Sequence, residues 1–334
     1  MKTMTAFLPL IWLAAAPAGT QTSPAHYIFF GRDRDAMAGT AAIEKPFIEG
    51  AQIAYPWKLL EPEENHYDFS VVESDLEWLT RRGKQLFVQL QDVSFDESIV
   101  NVPDYLRSDD FGGGASRQYA FADDSDNGAR PAGWVSRRWD PRVASRYFRL
   151  LAALGSRLDG RIAGINMPET AVDFGNTGRY FPSGFSPPVY RDAVKSAMRA
   201  AKDAFRRSVV IQYANFMPGE WLPWDDKGYL RSIYDYGKEI GVGLGGPDLK
   251  VYSKAQMSHS YPLLATAAGI VPTGIAVQYG NYEETDPRTG RRVTIDDITR
   301  FGRDVLKIGV FFWSTEAPYF ERDLIPYLER AGRR

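Results

Sequence analysis

Residues 51–70 read AQIAYPWKLLEPEENHYDFS, and this stretch says most about the fold. It opens with the apolar run Ala51–Tyr55, which has the length and character of a buried strand. Pro56 ends the run, and the Glu-Pro-Glu of LEPEE is typical of the approach to a helix. The YDFS string then leads into an amphipathic segment. This order predicts a strand, a turn and a helix, which together make one β/α unit.

The same alternation recurs along the whole chain. Continuous apolar runs are typical of parallel strands that are covered on both faces. The predicted strands are His26–Phe30, Ala51–Tyr55, Gln85–Leu90, Arg161–Asn166, Val209–Tyr213, Val242–Gly245, Gly274–Gln278 and Val310–Trp313. Amphipathic helices are predicted at Val71–Arg82, Val143–Leu158, Pro188–Arg206, Tyr229–Ile240 and Ile295–Leu306. Eight strands with interleaved helices predict an α/β protein with a single (β/α)8 TIM barrel.

One connection is unusually long. The segment Asp92–Arg142 follows the third predicted strand and is rich in Gly, Asp, Ser and aromatic residues. Long loops of this kind are either functional or disordered. In a barrel this one would lie on the C-terminal face, where substrates bind. Its interleaved aromatic residues favour an ordered loop over a disordered insertion.

Composition argues against several functional classes. The formal net charge is −2 and acids and bases alternate, so no basic patch indicates nucleic acid or anionic lipid as a partner. The chain has no cysteine and three histidines, which predicts no disulfide, no metal site and no histidine-rich zinc centre. The glycines of Gly241–Gly246 match a dinucleotide motif formally, but Pro247 and Asp248 stand where a helix should open. No cofactor is expected.

The N-terminus resembles an export signal. Lys2 precedes the apolar run Ala6–Ala16, and Ala16-Pro17-Ala18 supplies a small-residue cleavage site. We therefore expect a signal peptide at residues 1–18 and a catalytic barrel at 24–334. The mature protein would be periplasmic or secreted, without stable membrane insertion. An uncleaved anchor is the alternative.

Side chains at strand ends are the candidates for chemistry, because barrel enzymes place their sites there. Three glutamates among them are candidates: Glu169, Glu283 and Glu316. The predicted substrate-binding residues are Trp57, Gln89, Gln91, Asp92, Asn166, Gln212, Tyr213, Asn215, Asp248, Gln278, Asn281 and Trp313. Arg32, Asp33 and Asp35 follow the first strand. Amides and carboxylates match the donor and acceptor pairs of hydroxyl groups, and aromatic faces stack on sugar rings. The inventory predicts a carbohydrate substrate.

Residues 51–70 also resemble a known family. The stretch is similar to the second β/α unit of clan A glycoside hydrolases, TIM barrels of retaining type, where "W…LEPEEG-YDFS" is common. Asn65 and His66 here replace a frequent Gly. The resemblance implies an acid/base Glu at the end of the fourth strand. Glu169 in GINMPET matches it, although Pro168 stands where an Asn is usual; Asn166 could take over that contact.

The second carboxylate is left open by the sequence. The resemblance implies a nucleophile Glu at the end of the seventh strand, but Gln278 occupies that place and a glutamine cannot attack an anomeric carbon. Glu283, five residues later, suits the short carboxylate separation of a retaining enzyme. Glu316 suits the longer separation of an inverting one. Trp313 resembles the strand-eight tryptophan that forms the floor of the sugar site in this clan.

The sequence thus predicts an exported glycoside hydrolase that cleaves O-glycosidic bonds of a poly- or oligosaccharide. The alternative is a non-catalytic glycan-binding barrel that has lost its nucleophile at Gln278. A pair of carboxyl groups at the barrel mouth would favour the enzyme, and a lone Glu169 among amides would favour the binding protein.

Overall fold

The structure is a computed structural model in which residues 23–332 are described. Its strands are β1 Ala25–Phe29, β2 Gly50–Pro56, β3 Gln85–Gln91, β4 Val93–Ser94, β5 Ala115–Ala120, β6 Arg130–Ser136, β7 Gly164–Met167, β8 Val209–Tyr213, β9 Gly243–Gly246, β10 Thr273–Val277 and β11 Val310–Ser314. Eight of them close into a parallel barrel in the order β1-β11-β10-β9-β8-β7-β3-β2. The predicted (β/α)8 barrel is confirmed, and each predicted strand overlaps a barrel strand.

Helices surround the barrel. They are α1 Arg34–Gly39, α2 Trp57–Leu60, α3 Ser70–Thr80, α4 Pro141–Leu158, α5 Pro187–Ala204, α6 Tyr229–Ile240, α7 Lys254–Ser258, α8 Ser260–Ala267, α9 Ile295–Arg300 and α10 Ile325–Ala331. The two long helices begin at side-chain caps followed by proline: Asp140 accepts from the Arg142 amide and Ser186 from the Val189 amide. The predicted helix Ile295–Leu306 stops being α-helical at Arg300 and continues as a π-helical turn.

The barrel interior is filled by side chains from alternate strand positions. Tyr27, Phe87, Ile211 and Phe312 form its apolar centre with Ala276. Successive strand residues point to opposite faces, so every second residue of each strand faces this interior. The intervening residues face the helices, where a larger apolar core lies. This alternation decides which side chains reach the mouth.

The long connection after β3 is ordered. β4, β5 and β6 form an antiparallel sheet in the order β4-β6-β5, as the aromatic content of the segment favoured. The sheet is tied to the loop after β7, since the Tyr119 amide donates to the Asp173 carbonyl at 3.1 Å. Residues 1–22, with the predicted signal peptide at 1–18, lie outside the described residues. No described helix is both long and apolar enough to span a membrane.

Candidate active site

A network of amides occupies the upper interior of the barrel. Gln52 faces inwards from β2, Asn166 from β7 and Tyr213 from β8. The Gln52 side-chain amide donates to Oδ1 of Asn166 and to the Tyr213 hydroxyl, both at 2.9 Å. All three side chains are buried. These bonds fix the orientation of both amide groups.

Several buried polar atoms around this network have no hydrogen-bond partner within the described chain. They are Oε1 of Gln52, Oε1 of Gln89, Nδ2 of Asn166, Oδ1 of Asn215 and Oγ of Ser314. Buried polar atoms are nearly always paired in folded proteins. Unpaired acceptors beside an unpaired donor can serve the hydroxyl groups of a ligand, each of which donates and accepts.

Glu169 lies immediately above the network, in the loop that follows β7, and is half-buried. The Asn215 side chain donates to its Oε2 at 2.7 Å. Burial raises the pKa of Glu169 to about 7; the Asn215 hydrogen bond opposes this rise, the negative charge of Asp248 adds to it and the positive charge of Arg138 opposes it. A carboxyl group with this pKa can donate a proton near neutral pH.

A buried ion pair supports the Glu169 loop. Arg138 Nε donates to Oδ2 of Asp92 at 2.8 Å, and Ser136 also binds this carboxylate. Arg138 Nη1 donates to the Tyr190 hydroxyl at 2.9 Å and to the Glu169 carbonyl at 3.2 Å. Asp92 is completely buried by these contacts. The expectation that Asp92 touches substrate is therefore corrected: its carboxylate neutralises Arg138.

Asp248 is held in place by Asn281. The Asn281 side chain donates to Oδ1 of Asp248 at 2.9 Å, while its own oxygen accepts the Leu249 amide at 3.1 Å and the Gln278 amide at 3.0 Å. Asn281 is buried and Asp248 half-buried. Asn281 therefore positions Asp248, and its donor and acceptor are both in use within the loop.

The two carboxylates predicted to partner Glu169 lie in neighbouring loops. Glu283 is exposed after β10 and accepts from the Tyr319 hydroxyl at 3.1 Å. Glu316 is half-buried after β11 and accepts from the Gly280 amide at 2.8 Å. Gln278, also half-buried, follows the last residue of β10. The carboxylate whose charge raises the pKa of Glu169 is Asp248.

The two predicted sugar-stacking tryptophans face away from the mouth. Trp57 is fully buried, packs its ring on Tyr147 at 5.1 Å between centroids and donates to Glu61 at 2.8 Å. Trp313 is fully buried, stacks on Phe311 at 4.7 Å and donates to His26 at 3.0 Å. Both lie in the outer core: Trp313 alternates with the inward-facing Phe312 on β11, and Trp57 begins α2 directly after β2. The expectation that they contact sugar is corrected.

Gln212 is also closed to a ligand. It is buried on the outward face of β8, and its side-chain amide donates to the Pro168 carbonyl at 2.6 Å and the Tyr213 carbonyl at 2.9 Å. Gln212 thus supports the residue before Glu169, and its predicted role as a substrate contact is corrected. Gln89 and Gln91, by contrast, lie on the inward-facing side of β3. They are two and four residues beyond the inward-facing Phe87 and so share its face of the strand.

Gln52, Ser314 and Arg138 were not identified from the sequence as site residues. Gln52 is a single polar residue in an apolar strand, which is a usable signal for a polar interior. Ser314 follows Phe312 on the inward face of β11, but the strand was predicted to end at Trp313. Arg138 comes from the long connection after β3, and nothing in its local sequence indicates that it reaches the Glu169 loop.

Comparison with solved structures places this architecture among known barrels. The chain is similar to the catalytic domain of a beta-amylase from Paenibacillus polymyxa, with a TM-score of 0.57 and 9% identity over 88% of this chain and 93% of that one. It is also similar to a beta-galactosidase from the Antarctic haloarchaeon Halorubrum lacusprofundi, with a TM-score of 0.52 and 11% identity over 86% of this chain and 52% of that one.

The likeness is one of fold. No protein-family model matches the chain, and no curated protein matches its sequence. The resemblance to glycoside hydrolase barrels, drawn from residues 51–70, is confirmed at the level of the barrel architecture.

Proposed function

We propose that this protein is a glycoside hydrolase that acts on a poly- or oligosaccharide with Glu169 as its general acid. The observation that carries the proposal is the raised pKa of Glu169, about 7, at the mouth of a barrel lined with unpaired amide atoms. Glycosidases need such a carboxyl group to protonate the leaving oxygen. The fold shared with a beta-amylase and a beta-galactosidase supports the same function.

Glu169 supplies the proton in the proposed reaction. Its protonated carboxyl group donates to the glycosidic oxygen as the bond to the anomeric carbon breaks, and the leaving sugar departs as an alcohol. Only the protonated form can do this. Because the pKa is about 7, turnover should fall as the pH rises through about 7. The Asn215 side chain would then stabilise the carboxylate that remains.

Asp248 is the best-supported second carboxylate. Its charge acts on Glu169, and Asn281 fixes its orientation. It would either attack the anomeric carbon or activate the water that does so. Glu283 and Glu316 stay alternatives for this role; each also accepts a hydrogen bond from a neighbouring loop residue, but neither is among the charges that act on Glu169.

Substitutions of the two carboxylates test the proposal. The purified protein is incubated with a panel of polysaccharides and the reducing ends released are measured. We expect Glu169→Gln to lower turnover by about 10²–10⁴-fold, as is usual for loss of a general acid. Asp248→Asn should also remove most turnover. Glu239→Gln, a matched change on the exposed surface of α6, should leave turnover unchanged.

Two results would contradict these assignments. Turnover of Glu169→Gln at the wild-type rate would show that another group is the acid. If Asp248→Asn is fully active and Glu283→Gln or Glu316→Gln is inactive, the glutamate whose loss abolishes activity is the nucleophile or base instead of Asp248. The configuration of the first product, read by NMR, then separates retention from inversion.

A second candidate function is a non-catalytic glycan-binding barrel. It is favoured by Gln278, which stands where the resemblance implies a nucleophile, and by the amide-rich interior. Binding of an oligosaccharide without release of reducing ends from any member of the panel would support this alternative over the enzyme.

The proposal also includes export of the protein from the cytoplasm. We propose that residues 1–18 are removed and that the barrel acts in the periplasm or outside the cell. The composition of the N-terminus supports this: Lys2 is followed by the apolar run Ala6–Ala16 and a small-residue site. N-terminal sequencing of the protein from cell fractions tests it, and an intact Met1 in the cytoplasmic fraction alone would contradict it.

A further inference from the structure

Arg32 is a cation at the barrel mouth that is held entirely by uncharged groups. It follows β1, and its guanidinium donates from Nε and Nη2 to Oε1 of Gln91 at 3.1 and 2.6 Å. Nη2 also donates to Oδ1 of Asn101 at 2.7 Å. Asn101 is buried and is itself fixed, because its amide donates to the Val93 carbonyl at 2.6 Å. The guanidinium is thus pre-oriented.

No carboxylate balances this charge. Among residues 23–332, no acid lies within ion-pair distance of Arg32, and its Nη1 makes no hydrogen bond. Asp33, the next residue, directs its carboxylate to the Ala36 amide instead. The side chain is exposed, so a ligand can reach the guanidinium from solvent, and the protein supplies no charge of opposite sign to it.

Three arginines that are removed from solvent each pair with an acid: Arg138 with Asp92, Arg146 with Glu61, and Arg34 with Asp75 at 2.9 Å. Arg32 differs from them because it is exposed, is oriented by neutral side chains and has no acid beside it. An accessible, oriented guanidinium of this kind at the barrel mouth is arranged for an anion that arrives with a ligand.

The position of Arg32 relates it to the acid Glu169. Gln91 lies on the same inward-facing side of β3 as Gln89, roughly 7 Å further along the strand. Gln89 pairs with Asn166 on β7, which leads into the Glu169 loop. An anion on Arg32 would therefore belong to a part of the ligand away from the proton-transfer site.

We propose that Arg32, oriented by Gln91 and Asn101, binds an anionic substituent of the glycan, and that the natural substrate is an acidic polysaccharide. This inference rests on the proposed function, since it names the substrate class of the same cleft. A uronic acid carboxylate and a sulfate ester share the required chemistry, because both present two oxygens to a guanidinium edge.

Binding measurements with the inactive full-length Glu169→Gln protein test the inference. Isothermal titration compares a uronic-acid oligosaccharide with its carboxyl-reduced neutral counterpart, and a sulfated oligosaccharide with its unsulfated neutral counterpart. We expect one acidic ligand to bind about 10- to 100-fold more tightly than its neutral counterpart, in a salt-dependent manner. Adding Arg32→Gln should remove that preference and leave affinity for the neutral ligand unchanged.

Two further variants complete the design. Arg32→Lys keeps the charge without the planar fork and should keep part of the preference. Arg81→Gln removes an exposed arginine that pairs with Glu77 at the end of α3, and it should change nothing. Equal affinity for acidic and neutral ligands, or an acidic preference that survives Arg32→Gln, would overturn the inference. The first comparison needs no Arg32 variant, so it stands even if that variant fails to fold.

The outcomes also separate this inference from the proposed function. Arg32-dependent binding of acidic glycan without hydrolysis by the wild-type protein would keep the subsite and reject the enzyme. Hydrolysis of neutral glycan at a rate that Arg32→Gln does not change, with no acidic preference, would keep the enzyme and reject the subsite.

Discussion

At the residue scale, the motif that predicts the fold turns out to serve packing. Glu61 of LEPEE is fully buried, accepts the Trp57 indole at 2.8 Å, binds Arg146 and accepts the Asn65 amide at 3.3 Å. Removing one member of a buried ion pair leaves an uncompensated charge. Glu61 therefore stabilises the packing of the second β/α unit.

Glu169 should lower the stability of the folded protein as the pH rises. Its folded pKa of about 7 lies above the ordinary value of about 4.3 for an unfolded chain. Between these values the folded state binds more protons, so its free energy of unfolding falls with rising pH until about pH 7. We expect Glu169→Gln to be more stable than wild type by about 1–3 kcal/mol at pH 8 and nearly equal to it at pH 4.

Chemical denaturation of both proteins across this pH range measures the difference. Glu239→Gln is the control, since its exposed side chain should give a difference that is small at every pH. A stability difference between Glu169→Gln and wild type that is the same at pH 4 and pH 8 would show that the raised pKa is not present.

At the scale of elements, the Asp126 carboxylate adds three hydrogen bonds to the contacts that join the three-stranded insertion to the loop after β7. Asp126 is buried at a positive φ of 61° and accepts the amides of Asn176 at 2.7 Å and Thr177 at 2.9 Å, as well as the Thr177 hydroxyl. The Tyr119 and Tyr180 rings add a contact 4.9 Å apart. These hydrogen bonds and this ring contact therefore hold the insertion against the loop that carries Glu169.

Asp126→Ala should loosen this link without unfolding the barrel. Three hydrogen bonds to a carboxylate are lost, each of which contributes about 1.5–3 kcal/mol at most. We expect faster hydrogen exchange at the Asn176 and Thr177 amides and faster proteolysis within residues 112–130. Asp124→Ala, an exposed neighbour, should behave as wild type. Unchanged exchange in Asp126→Ala would show that the insertion is held by other contacts.

At the scale of the whole molecule, closure of the barrel depends on how its interior is filled. Phe87 lies between Tyr27 and Phe312, with centroid distances of 5.3 and 5.0 Å. Gly164 faces this ring from β7: a Cβ there would come within 2.4 Å of the ring and 2.6 Å of the Val209 carbonyl. The Phe87 ring therefore occupies the space that a side chain at Gly164 would need.

Gly164→Ala should destabilise the barrel by about 1–3 kcal/mol, because overpacking forces the ring or the neighbouring strand to move. Thermal and denaturant unfolding measure the effect. Gly39→Ala is the matched control, since a Cβ there would meet nothing within 4 Å. If Gly164→Ala is as stable as Gly39→Ala, the interior is more loosely packed than the distances indicate.

The barrel could be predicted from the order of the amino acids, because strand and helix periodicity are local properties of the chain. Apolar runs such as Val209–Tyr213 and the amphipathic segment at Tyr229–Ile240 coincide with β8 and α6 residue for residue. The sequence also located Glu169 at a strand end. Prediction and structure agree on the elements and on the position of Glu169, because residues that are close in sequence determine where a strand or helix begins and ends.

The folded structure was needed to show which strand-end side chains face the mouth. Trp57, Trp313 and Gln212 follow or lie in barrel strands as expected, yet they point to the outer core, since one step along a strand reverses the direction of a side chain. The pairing of Asp92 with Arg138 was equally hidden, because it joins residues from opposite ends of a long loop. Contacts of this kind, between residues far apart in sequence, determine which polar groups remain unpaired. The unpaired groups can therefore be identified only in the folded chain.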